Sequence, residues 1–557
     1  MGKYTEYRGL NLSNIGKEMQ KYWEDHDVFA QSLKQREGAE SFVFFEGPPS
    51  ANGKPGIHHV LARSLKDIVC RYQTLKGKYV GRKGGWDTHG LPVELGVEKT
   101  LGIAKEDIGK TITVEEYNKA CRQNVMQFKD MWDDITKKMG YWVDLENPYI
   151  TFDNKYIESV WYLLSELYKK GMLYKGYTIQ PYSPAAGTGL SSHELNLPGC
   201  YRDVKDTTCV GQFKVRTDQV LSTDVQMFIG EQGVPNNLYF LAWTTTPWTL
   251  PSNTALAVGP KIDYVLVKTF NAYSGDPIMV ILGKPLVGNF FPEKNKDLAF
   301  EDYKPGDKNI PFQILGEIKG EKLVGIQYEQ LIPFMRPDGK AFEVIPGDYV
   351  TTEDGTGIVH IAPTFGADDK RVAADAGIAP MLLFDKAGNP QPMVDKTGKF
   401  FLMSELDPQF VKNQVNADLY RQLEGRYVKN DYDPAATPET ENLDVTICLW
   451  LKGEHKAFKI EKHVHNYPHC WRTDKPILYY PLDSWFIKST AVKDRMIELN
   501  KTIYWKPAAT AAAVSATGSR TSWTGTSRVP ASGEPRCLSG PPKTRKSRSA
   551  SARWSSW

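Results

Sequence analysis

The feature that most constrains the fold is a stretch near the start of the chain in which a short apolar segment, a loop and a helical pattern follow one another. Residues 42–45 form a buried-strand pattern, and residues 47–49 (Gly-Pro-Pro) interrupt it. Apolar residues then recur at helical spacing over residues 61–75, and Gly77 ends the run. This order predicts an open α/β sheet with a ligand site outside the carboxyl end of the strand, facing a helix N-terminus.

Two residue groups near this predicted site suit a nucleotide reaction. His58 and His59 lie where the helix begins, so their ring N–H groups can donate to phosphoryl oxygens as charge develops. Two adjacent histidines alone are more often a packed loop feature or part of a metal site. A second stretch, residues 85–94 (GWDTHGLPVE), follows the helix, and its Asp87 can also be interpreted as a turn cap after two glycines.

Together these stretches carry a family resemblance. Residues 45–63 (FEGPPSANGKPGIHHVLAR) resemble the first signature of class I aminoacyl-tRNA synthetases, and residues 85–94 resemble the segment that follows it in the isoleucyl-tRNA synthetases. The resemblance implies an α/β fold whose Rossmann-like nucleotide-binding core, incomplete here, is interrupted by an inserted β-rich editing domain. It also implies ATP-dependent activation of isoleucine, with Mg²⁺ in the substrate complex, and transfer of the product to tRNA(Ile).

The same resemblance implies roles for individual residues. The expected catalytic residues are Gly56, His58 and His59. The expected ATP-binding residues are Pro49, Asn52, Gly53, His58 and His59. The expected amino-acid pocket consists of Pro48, Trp86, Asp87 and Trp485, with Asp87 holding the substrate ammonium.

The first signature departs from the usual family pattern. Aligned on Pro55 and Arg63, it reads Gly56-Ile57-His58-His59, whereas the family usually has His-x-Gly-His. In the usual order the glycine lets the adenine lie close to the backbone, and His58 occupies that place here. We expect His58 to reach toward the phosphates in place of the absent first histidine, which reshapes the ATP pocket and weakens adenylate-mimicking inhibitors.

A β-rich region interrupts the helical pattern from about residue 195. Short β-rich runs separated by Gly/Pro turns predict strands at residues 238–243, 264–268, 278–282 and 357–361. Within this region, residues 243–253 (WTTTPWTLPSN) and 355–369 (GTGIVHIAPTFGADD) resemble the editing pocket of the isoleucyl, valyl and leucyl synthetases.

The resemblance assigns editing roles to five residues. Thr244, Thr245 and Thr246 are implied to line the wall that gauges the side chain of a misattached amino acid. Asp369 is implied to bind its ammonium group, with His360 nearby. Two alternatives remain open: a threonine run is ordinary strand composition, and Asp369 can cap a helix beginning at Lys370. Because no nucleophilic triad is evident, we expect water to attack the ester directly.

The pattern along the chain predicts five segments. They are an N-terminal helical extension (1–41), the first part of the catalytic core (42–194), the inserted β-rich editing domain (195–425), the return to the core (426–507) and a tail (508–557). Ala, Ser and Thr dominate the tail, whose only acidic residue is Glu534, so we expect a disordered basic segment. Nonspecific contact with tRNA phosphates is the alternative interpretation of its charge.

The family resemblance stops at Pro507. We attribute this to a reading-frame change or a misplaced gene end, and we expect little or no isoleucyl-tRNA formation by this chain alone. Two other functions stay open, namely a stand-alone editing hydrolase and a noncatalytic tRNA-binding remnant.

Composition agrees with a large enzyme. The 557 residues are 41% hydrophobic and 24% charged, with a net charge of +3 and no long apolar run, so we expect a cytoplasmic monomer without a membrane segment. The seven cysteines suggest no disulfide framework.

Many relatives carry Cys-x-x-Cys zinc knuckles at the places of residues 182–187 (YSPAAG) and 469–473 (HCWRT), where only Cys470 remains here. We therefore expect no structural zinc, and interpret His463, His465 and His469 as pocket or packing residues.

Overall fold

The chain divides into two compact units. The computed structural model describes residues 9–230, 233–509 and 525–527, so nearly all of the predicted tail lies outside the described residues. Unit 1 comprises Met1–Gly176 and Ser484–Trp557, and unit 2 comprises Tyr177–Asp483. Unit 2 is therefore inserted in the sequence of unit 1. The predicted limits of the inserted domain, 195 and 425, both fall inside unit 2, and they stay predictions.

The first segment of unit 1 is mainly helical. Its helices are α1 (Leu12–Asp25), α2 (Val28–Lys34), α3 (Ile57–Leu75), α4 (Leu91–Leu101), α5 (Val114–Val125), α6 (Lys129–Lys138) and α7 (Asn154–Lys169). Strands β1 (Lys83–Trp86) and β2 (Asp144–Ile150) pair in parallel. The chain then passes into unit 2 within strand β3 (Leu173–Ser183).

The predicted helix after the loop is confirmed as α3, with Gly56 at its N-cap in an extended conformation. Its burial differs from the usual amphipathic pattern, because Leu61 and Leu65 are 66% and 60% exposed while Cys70 and Thr74 are buried. The apolar stripe of α3 thus faces away from the described part of unit 1. Periodicity located the helix but did not determine which face is buried.

The predicted buried strand at residues 42–45 is wrong. Only Ser41 forms a bridge, with Tyr79, and the segment continues without a regular partner, although the Phe42 amide donates to the Tyr79 carbonyl at 2.9 Å. Val43 and Phe45 are exposed. The segment pairs with a neighbour only at its first residues, so it does not form a β-ladder. Its alternate side chains therefore stay exposed.

Unit 2 is built around a large sheet. Its strands are β4 (Thr188–Gly189), β5 (Tyr201–Lys214), β6 (Leu238–Thr244), β7 (Ala255–Val258), β8 (Asp263–Phe270), β9 (Pro277–Gly283), β10 (Gln313–Lys319), β11 (Glu343–Pro346), β12 (Ile358–Ile361), β13 (Leu383–Phe384), β14 (Pro390–Gln391) and β15 (Ala457–Pro468). Its helices are α8 (Ser192–Leu195), α9 (Thr223–Ile229), α10 (Val287–Phe290), α11 (Ala367–Asp375), α12 (Pro408–Gln414), α13 (Ala417–Tyr420) and α14 (Leu443–Gly453). The nine-stranded sheet has the order β10-β8-β9-β6-β12-β7-β11, and β5 pairs with both β6 and β15. All four predicted strands are confirmed as β6, β8, β9 and β12.

Strand alternation divides the interior of unit 2 into several cores. On β8, Tyr264 and Leu266 enter the largest core, whereas Val265 and Val267 enter a second core on the opposite face. Adjacent residues of a strand point to opposite faces, so a sheet covered on both sides requires apolar residues at every position. Full burial of each such side chain contributes about 1.5–3 kcal/mol. The central strands of unit 2 are thereby rigid supports for the loops at their ends.

The chain returns to unit 1 within strand β16 (Leu478–Ile487), which is followed by helix α15 (Lys493–Asn500). Strand β17 (Gly525–Ser527) pairs antiparallel with the end of β16. Across residues 9–230 and 233–509, no helix combines the length and the apolar character needed to cross a membrane.

Candidate functional sites

Unit 1 contains a cavity of about 430 Å³ where the loop after residue 45 meets the first turns of α3. Small-molecule sites typically measure about 300–1,000 Å³. The lining residues are Glu46, Gly47, Pro48, Pro49, Ser50, Gly53, Lys54, His59, Ala62, Arg63, Lys66 and Trp132. The cavity therefore combines residues of the predicted nucleotide site with several cations.

The two predicted motifs of unit 1 lie side by side. The Asp87 amide donates to the Pro49 carbonyl at 3.0 Å. Trp86 is 2% exposed and packs in a small core with Ala51 and Trp132. The Trp132 indole N–H in turn donates to the Gly53 carbonyl at 2.8 Å. Hydrogen bonds and aromatic packing thus hold the glycine-rich loop against the acidic turn.

The two histidines of α3 have different environments. The Gly56 amide donates to His59 Nδ1 at 2.9 Å, which leaves Nε2–H of His59 as a donor. Burial, then the neighbouring His58 and Arg63, lower the pKa of His59, so its ring is neutral at pH 7. His58 is exposed, with its ring centroid 3.8 Å from that of His59. Only His59 of the pair lines the cavity, and the role of His58 toward phosphates stays a prediction.

The sequence reasoning did not identify the cations of this cavity. Lys54, Arg63 and Lys66 line it, and Lys66 forms an ion pair with the buried Glu46 at 2.6 Å. Arg63 lies against the Trp132 ring, with its Cζ 4.9 Å from the ring centroid. The available signal was helical spacing, since Arg63 and Lys66 follow His59 by four and seven residues and share its face.

The remaining predicted residues of unit 1 lie around this cavity or on a separate strand. The Ser50 hydroxyl donates to Asn52 Oδ1 at 3.0 Å. Asp87 is exposed, and the His89 amide donates to its Oδ1 at 3.5 Å, which fits the alternative interpretation as a turn residue. Trp485 is half-buried on β16. The roles of Asp87 and Trp485 in an amino-acid pocket stay predictions.

In unit 2, the predicted threonines mark the end of β6. Thr244 is buried, and its Oγ1 accepts from the Thr246 amide at 3.1 Å. Thr245 and Thr246 are half-buried. The Thr249 hydroxyl, in the 3₁₀ turn Pro247–Ser252, donates to the Thr246 carbonyl at 2.8 Å. The threonine run therefore ends in a turn with side-chain hydroxyls tied to its own backbone, and is not a simple strand continuation.

His360 links the two predicted editing stretches. It lies on β12, is 7% exposed, and its Nε2 is 3.1 Å from Thr249 Oγ1. Burial lowers the pKa of His360 to about 4, so the ring is neutral at pH 7. Since Thr249 donates to a carbonyl, its oxygen can accept from Nε2–H of the neutral ring. The structure thus brings Thr246, Thr249 and His360 together through hydrogen bonds.

Asp369 lies in the first turn of α11, the helix that follows β12 in the sequence. Its Oδ2 accepts from the Ala362 amide at 2.8 Å, and burial raises its pKa to about 6. Helix α11 begins at Ala367 with Gly366 as N-cap, so the alternative in which Asp369 caps a helix starting at Lys370 is wrong. A Cβ on Gly366 would lie 2.6 Å from Asp369 Cγ, so the glycine leaves room for this carboxyl group.

Several buried polar atoms in this part of unit 2 have no protein partner. Among the described residues, they include His360 Nδ1, Tyr349 OH and Thr364 Oγ1. Burial, and then the charge of the nearby Asp369, raise the pKa of the Tyr349 hydroxyl. Buried polar groups are normally satisfied by protein, water or ligand. The sequence predictions did not include Thr249 or Tyr349. Thr249 lies inside the first editing motif (243–253), whereas Tyr349 lies just before the second (355–369).

Cys470 is the one cysteine in the two segments that the sequence analysis compared with zinc knuckles, residues 182–187 and 469–473, and the expected absence of zinc stays a prediction. Cys470 is buried. Burial of Cys200, and then its proximity to Cys470, raise the pKa of the Cys200 thiol. The Cys200 thiol donates to the Glu194 carbonyl at 3.2 Å. Structural zinc requires four ligands, usually Cys and His. Within the described ranges, no group of three or more Cys, His, Asp or Glu side chains is arranged to hold a metal.

Comparison with known proteins supplies the family. The model of the class I tRNA synthetases for isoleucine, leucine, methionine and valine matches residues 18–530. The isoleucine–tRNA ligase of Bacteroides fragilis is 65% identical over 508 residues, covering 91% of this chain and 44% of that protein. The corresponding ligase of Porphyromonas gingivalis is 60% identical over 509 residues, with the same two coverages.

One more distant ligase and one solved structure were also found. The isoleucine–tRNA ligase of Clostridium tetani is 42% identical over 492 residues, covering 88% of this chain and 40% of that protein. The solved editing domain of a P. knowlesi cytosolic leucyl-tRNA synthetase covers 46% of this chain at 16% identity and a TM-score of 0.29, which is too low to bear on the fold.

The chain spans less than half the length of these curated relatives. The predicted α/β class is confirmed, with a Rossmann-like core interrupted by a β-rich insertion. Since the family model covers most of the sequence, the chain belongs to the class I tRNA synthetases of the isoleucine, leucine, methionine and valine group.

Proposed function

We propose that this chain carries two parts of an isoleucine–tRNA ligase. Unit 1 binds ATP and isoleucine, and unit 2 hydrolyses valine wrongly attached to tRNA(Ile), while formation of isoleucyl-tRNA(Ile) by this chain alone is expected to be low. The observation that carries the proposal is the buried Asp369 carboxyl group, which accepts from the Ala362 amide. Ala362 follows His360 by two residues, and His360 is hydrogen-bonded to Thr249, which is hydrogen-bonded to Thr246. The relatives named above as isoleucine–tRNA ligases support isoleucine as the substrate.

The cavity of unit 1 suits the phosphates of a nucleoside triphosphate. Lys54 and Arg63 supply positive charge beyond the Lys66–Glu46 ion pair. The neutral His59 offers Nε2–H as a donor. ATP enters as its Mg²⁺ complex, which is substrate. Donors that are already fixed before the reaction stabilise the charge that develops on the phosphates.

Arg63→Met is expected to weaken binding of Mg·ATP to the full chain about tenfold, the size of one lost charge-assisted contact. The methionine keeps an apolar side chain against Trp132 while removing the charge. Isothermal titration calorimetry measures the affinity. Arg71→Met is the matched control, because Arg71 lies on the same helix and also covers a tryptophan, Trp142, but does not line the cavity. Equal affinities for the two variants would contradict this role.

Unit 2 has the features that hydrolytic editing requires. Valine lacks one methylene of isoleucine, and a methylene in an apolar pocket is worth only about 1–3 kcal/mol, a limit for which this enzyme family is the usual illustration. A second site that admits valine and excludes isoleucine multiplies the selectivity. Asp369 holds the ammonium of the valyl ester, and the threonine hydroxyls with neutral His360 orient water at the ester carbonyl.

Gly366→Ala is expected to lower the hydrolysis rate about tenfold, because the new methyl group displaces the Asp369 carboxyl group from its position near the Ala362 amide. The backbone of Gly366 has φ −128° and ψ 132°, which alanine adopts without strain. Release of valine from valyl-tRNA(Ile) measures the rate. Gly288→Ala is the control, since a Cβ there meets nothing within 4 Å.

The proposed function as a whole is tested with the full chain. We expect hydrolysis of valyl-tRNA(Ile) to exceed hydrolysis of isoleucyl-tRNA(Ile), together with calorimetrically measurable binding of ATP and isoleucine. Hydrolysis without ATP binding would identify the chain as a stand-alone editing hydrolase. Binding of tRNA with neither activity would identify a noncatalytic remnant and refute the proposal.

A further inference from the structure

A buried carboxyl group outside the predicted motifs contacts the editing loop directly. Asp444, in the first turn of α14, is 1% exposed, and its Oδ1 accepts from the Trp248 amide at 2.8 Å. Its second oxygen, Oδ2, is buried and has no protein partner among the described residues. Burying a carboxyl group costs free energy unless both oxygens are hydrogen-bonded, and here only one oxygen has a protein partner among the described residues. Such a costly arrangement suggests that the carboxyl group has a function.

The amide that Asp444 holds belongs to the turn carrying the proposed hydrolytic groups. Trp248 precedes Thr249, whose hydroxyl contacts both the Thr246 carbonyl and His360. The Trp248 ring packs edge-on against Phe365, with the ring centroids 4.9 Å apart. Any shift of the Trp248 backbone therefore moves the Thr249 hydroxyl relative to His360.

Helix α14 is a rigid support for this contact. The Asn442 side chain caps the helix by accepting from the Asp444 amide at 2.8 Å. The helix buries Leu443, Ile447, Cys448 and Leu451 in the largest core of unit 2. The backbone of Asp444 is thus fixed by a cap and a packed face, independently of the editing loop.

Other charged groups face Asp444 from neighbouring elements. Lys429, which precedes a 3₁₀ turn, is the strongest of them, and Asp206 on β5 and Lys462 on β15 contribute as well. Lys429 forms an ion pair with Asp206 at 3.0 Å, and the same Asp206 oxygen lies 3.1 Å from His465 Nε2. Asp444 therefore lies beside an ion-paired cluster without forming an ion pair of its own in the described structure. Within the described ranges, the hydrogen bond of its side chain is the one from the Trp248 amide.

We propose that Asp444 is a positioning residue for the hydrolytic site of unit 2: through the Trp248 amide, it fixes the turn that places the Thr249 hydroxyl against His360. The proposal rests on the proposed editing function. It extends that function to a residue 196 positions from Trp248 in the sequence, on an element that neither editing motif contains. The role concerns the geometry around the ester, so its loss affects turnover and valine selectivity more than affinity.

The test compares Asp444→Ala with Asp444→Asn in the full chain. The asparagine retains an oxygen that can accept from the Trp248 amide, whereas the alanine removes it. For Asp444→Ala we expect kcat for valyl-tRNA(Ile) to fall about tenfold, as for one lost buried hydrogen bond, with KM nearly unchanged and with reduced selectivity over isoleucyl-tRNA(Ile). Asp444→Asn is expected to stay within about threefold of the unmodified chain.

Asp407→Ala is the matched control. Asp407 Oδ1 also accepts from a backbone amide, that of Phe410 at 2.7 Å, but at the start of α12. Asp407 is half-buried, so this control loses a hydrogen bond between a carboxyl group and a backbone amide of unit 2 without the burial of Asp444. A purely structural role predicts lower stability, with kcat and selectivity of the folded protein unchanged in both alanine variants. Equal effects of Asp444→Ala and Asp407→Ala on these two quantities, or equal losses for Asp444→Ala and Asp444→Asn, would overturn the proposal.

Hydrogen exchange separates this proposal from the proposed function. We expect amides of residues 246–252 to exchange faster in Asp444→Ala than in the unmodified chain, and to be unchanged in Asp407→Ala. If the unmodified chain does not hydrolyse valyl-tRNA(Ile), the editing function fails, and the exchange data alone decide the positioning role. Unchanged exchange over residues 246–252 in Asp444→Ala refutes it.

Discussion

Asp369→Ala is expected to reduce hydrolysis of valyl-tRNA(Ile) by the full chain about 1000-fold, to near the rate without protein. In the proposed complex, the Asp369 carboxylate faces the ammonium of the aminoacyl ester in a largely buried site. Truncating one partner of a buried, hydrogen-bonded charge pair costs about 2–5 kcal/mol or more, and each 1.4 kcal/mol corresponds to about a factor of ten. The effect is large because the substrate ammonium is then left without a counter-charge away from water.

Asp368→Ala is the control for this prediction. Asp368 is adjacent in the sequence, lies on the same helical turn and carries the same charge, but its side chain is 60% exposed and contacts Arg371 at the surface. Exposed ion pairs contribute about 0–1 kcal/mol, so this variant is expected to keep its rate within about threefold. Valine release from purified valyl-tRNA(Ile) measures both variants. Similar rates for the two would show that the buried carboxylate does not take part.

The sequence predicted which segments form helices and strands better than it predicted which residues are buried. The helix α3 and the strands β6, β8, β9 and β12 were predicted because their periodicity is a local property. The strand predicted at residues 42–45 is wrong, since strand formation requires a partner ladder that sequence periodicity does not reveal. The outward orientation of Leu61 and Leu65 was equally unpredictable, because periodicity defines a face but not what covers it.

Site residues were predictable where a motif contained them. His360 and Asp369 lie inside the second editing motif. In the structure His360 is hydrogen-bonded to Thr249, and Asp369 accepts from the Ala362 amide directly after β12. The Thr249–His360 contact joins residues 111 positions apart, and the Asp444–Trp248 contact joins residues 196 positions apart. One sequence without an alignment contains no signal for such pairs, so only the fold identifies them.

The rate of valine release is expected to rise about 20-fold between about pH 4.5 and pH 6.5, because burial raises the pKa of Asp369 to about 6 and the substrate amine stays an ammonium over this range. Below that pKa the ionised fraction falls about tenfold per pH unit, so the site loses its counter-charge for the ammonium. Measurements of kcat/KM across this range, after subtraction of the uncatalysed rate, check the profile, since free ester hydrolysis itself accelerates with hydroxide. A flat or falling profile would contradict the assignment.

His360 does not interfere with this titration, because burial raises the pKa of a carboxyl group and lowers the pKa of an imidazole. The same desolvation that raises the pKa of Asp369 lowers that of His360 to about 4, so both groups are uncharged near pH 5 and only Asp369 is charged at pH 7. The substrate ammonium therefore meets a neutral site in acid and an anionic site at neutral pH. His360→Gln is accordingly expected to lower the rate while leaving the midpoint near pH 6, whereas a midpoint that moved with His360 would assign the titration to the imidazole.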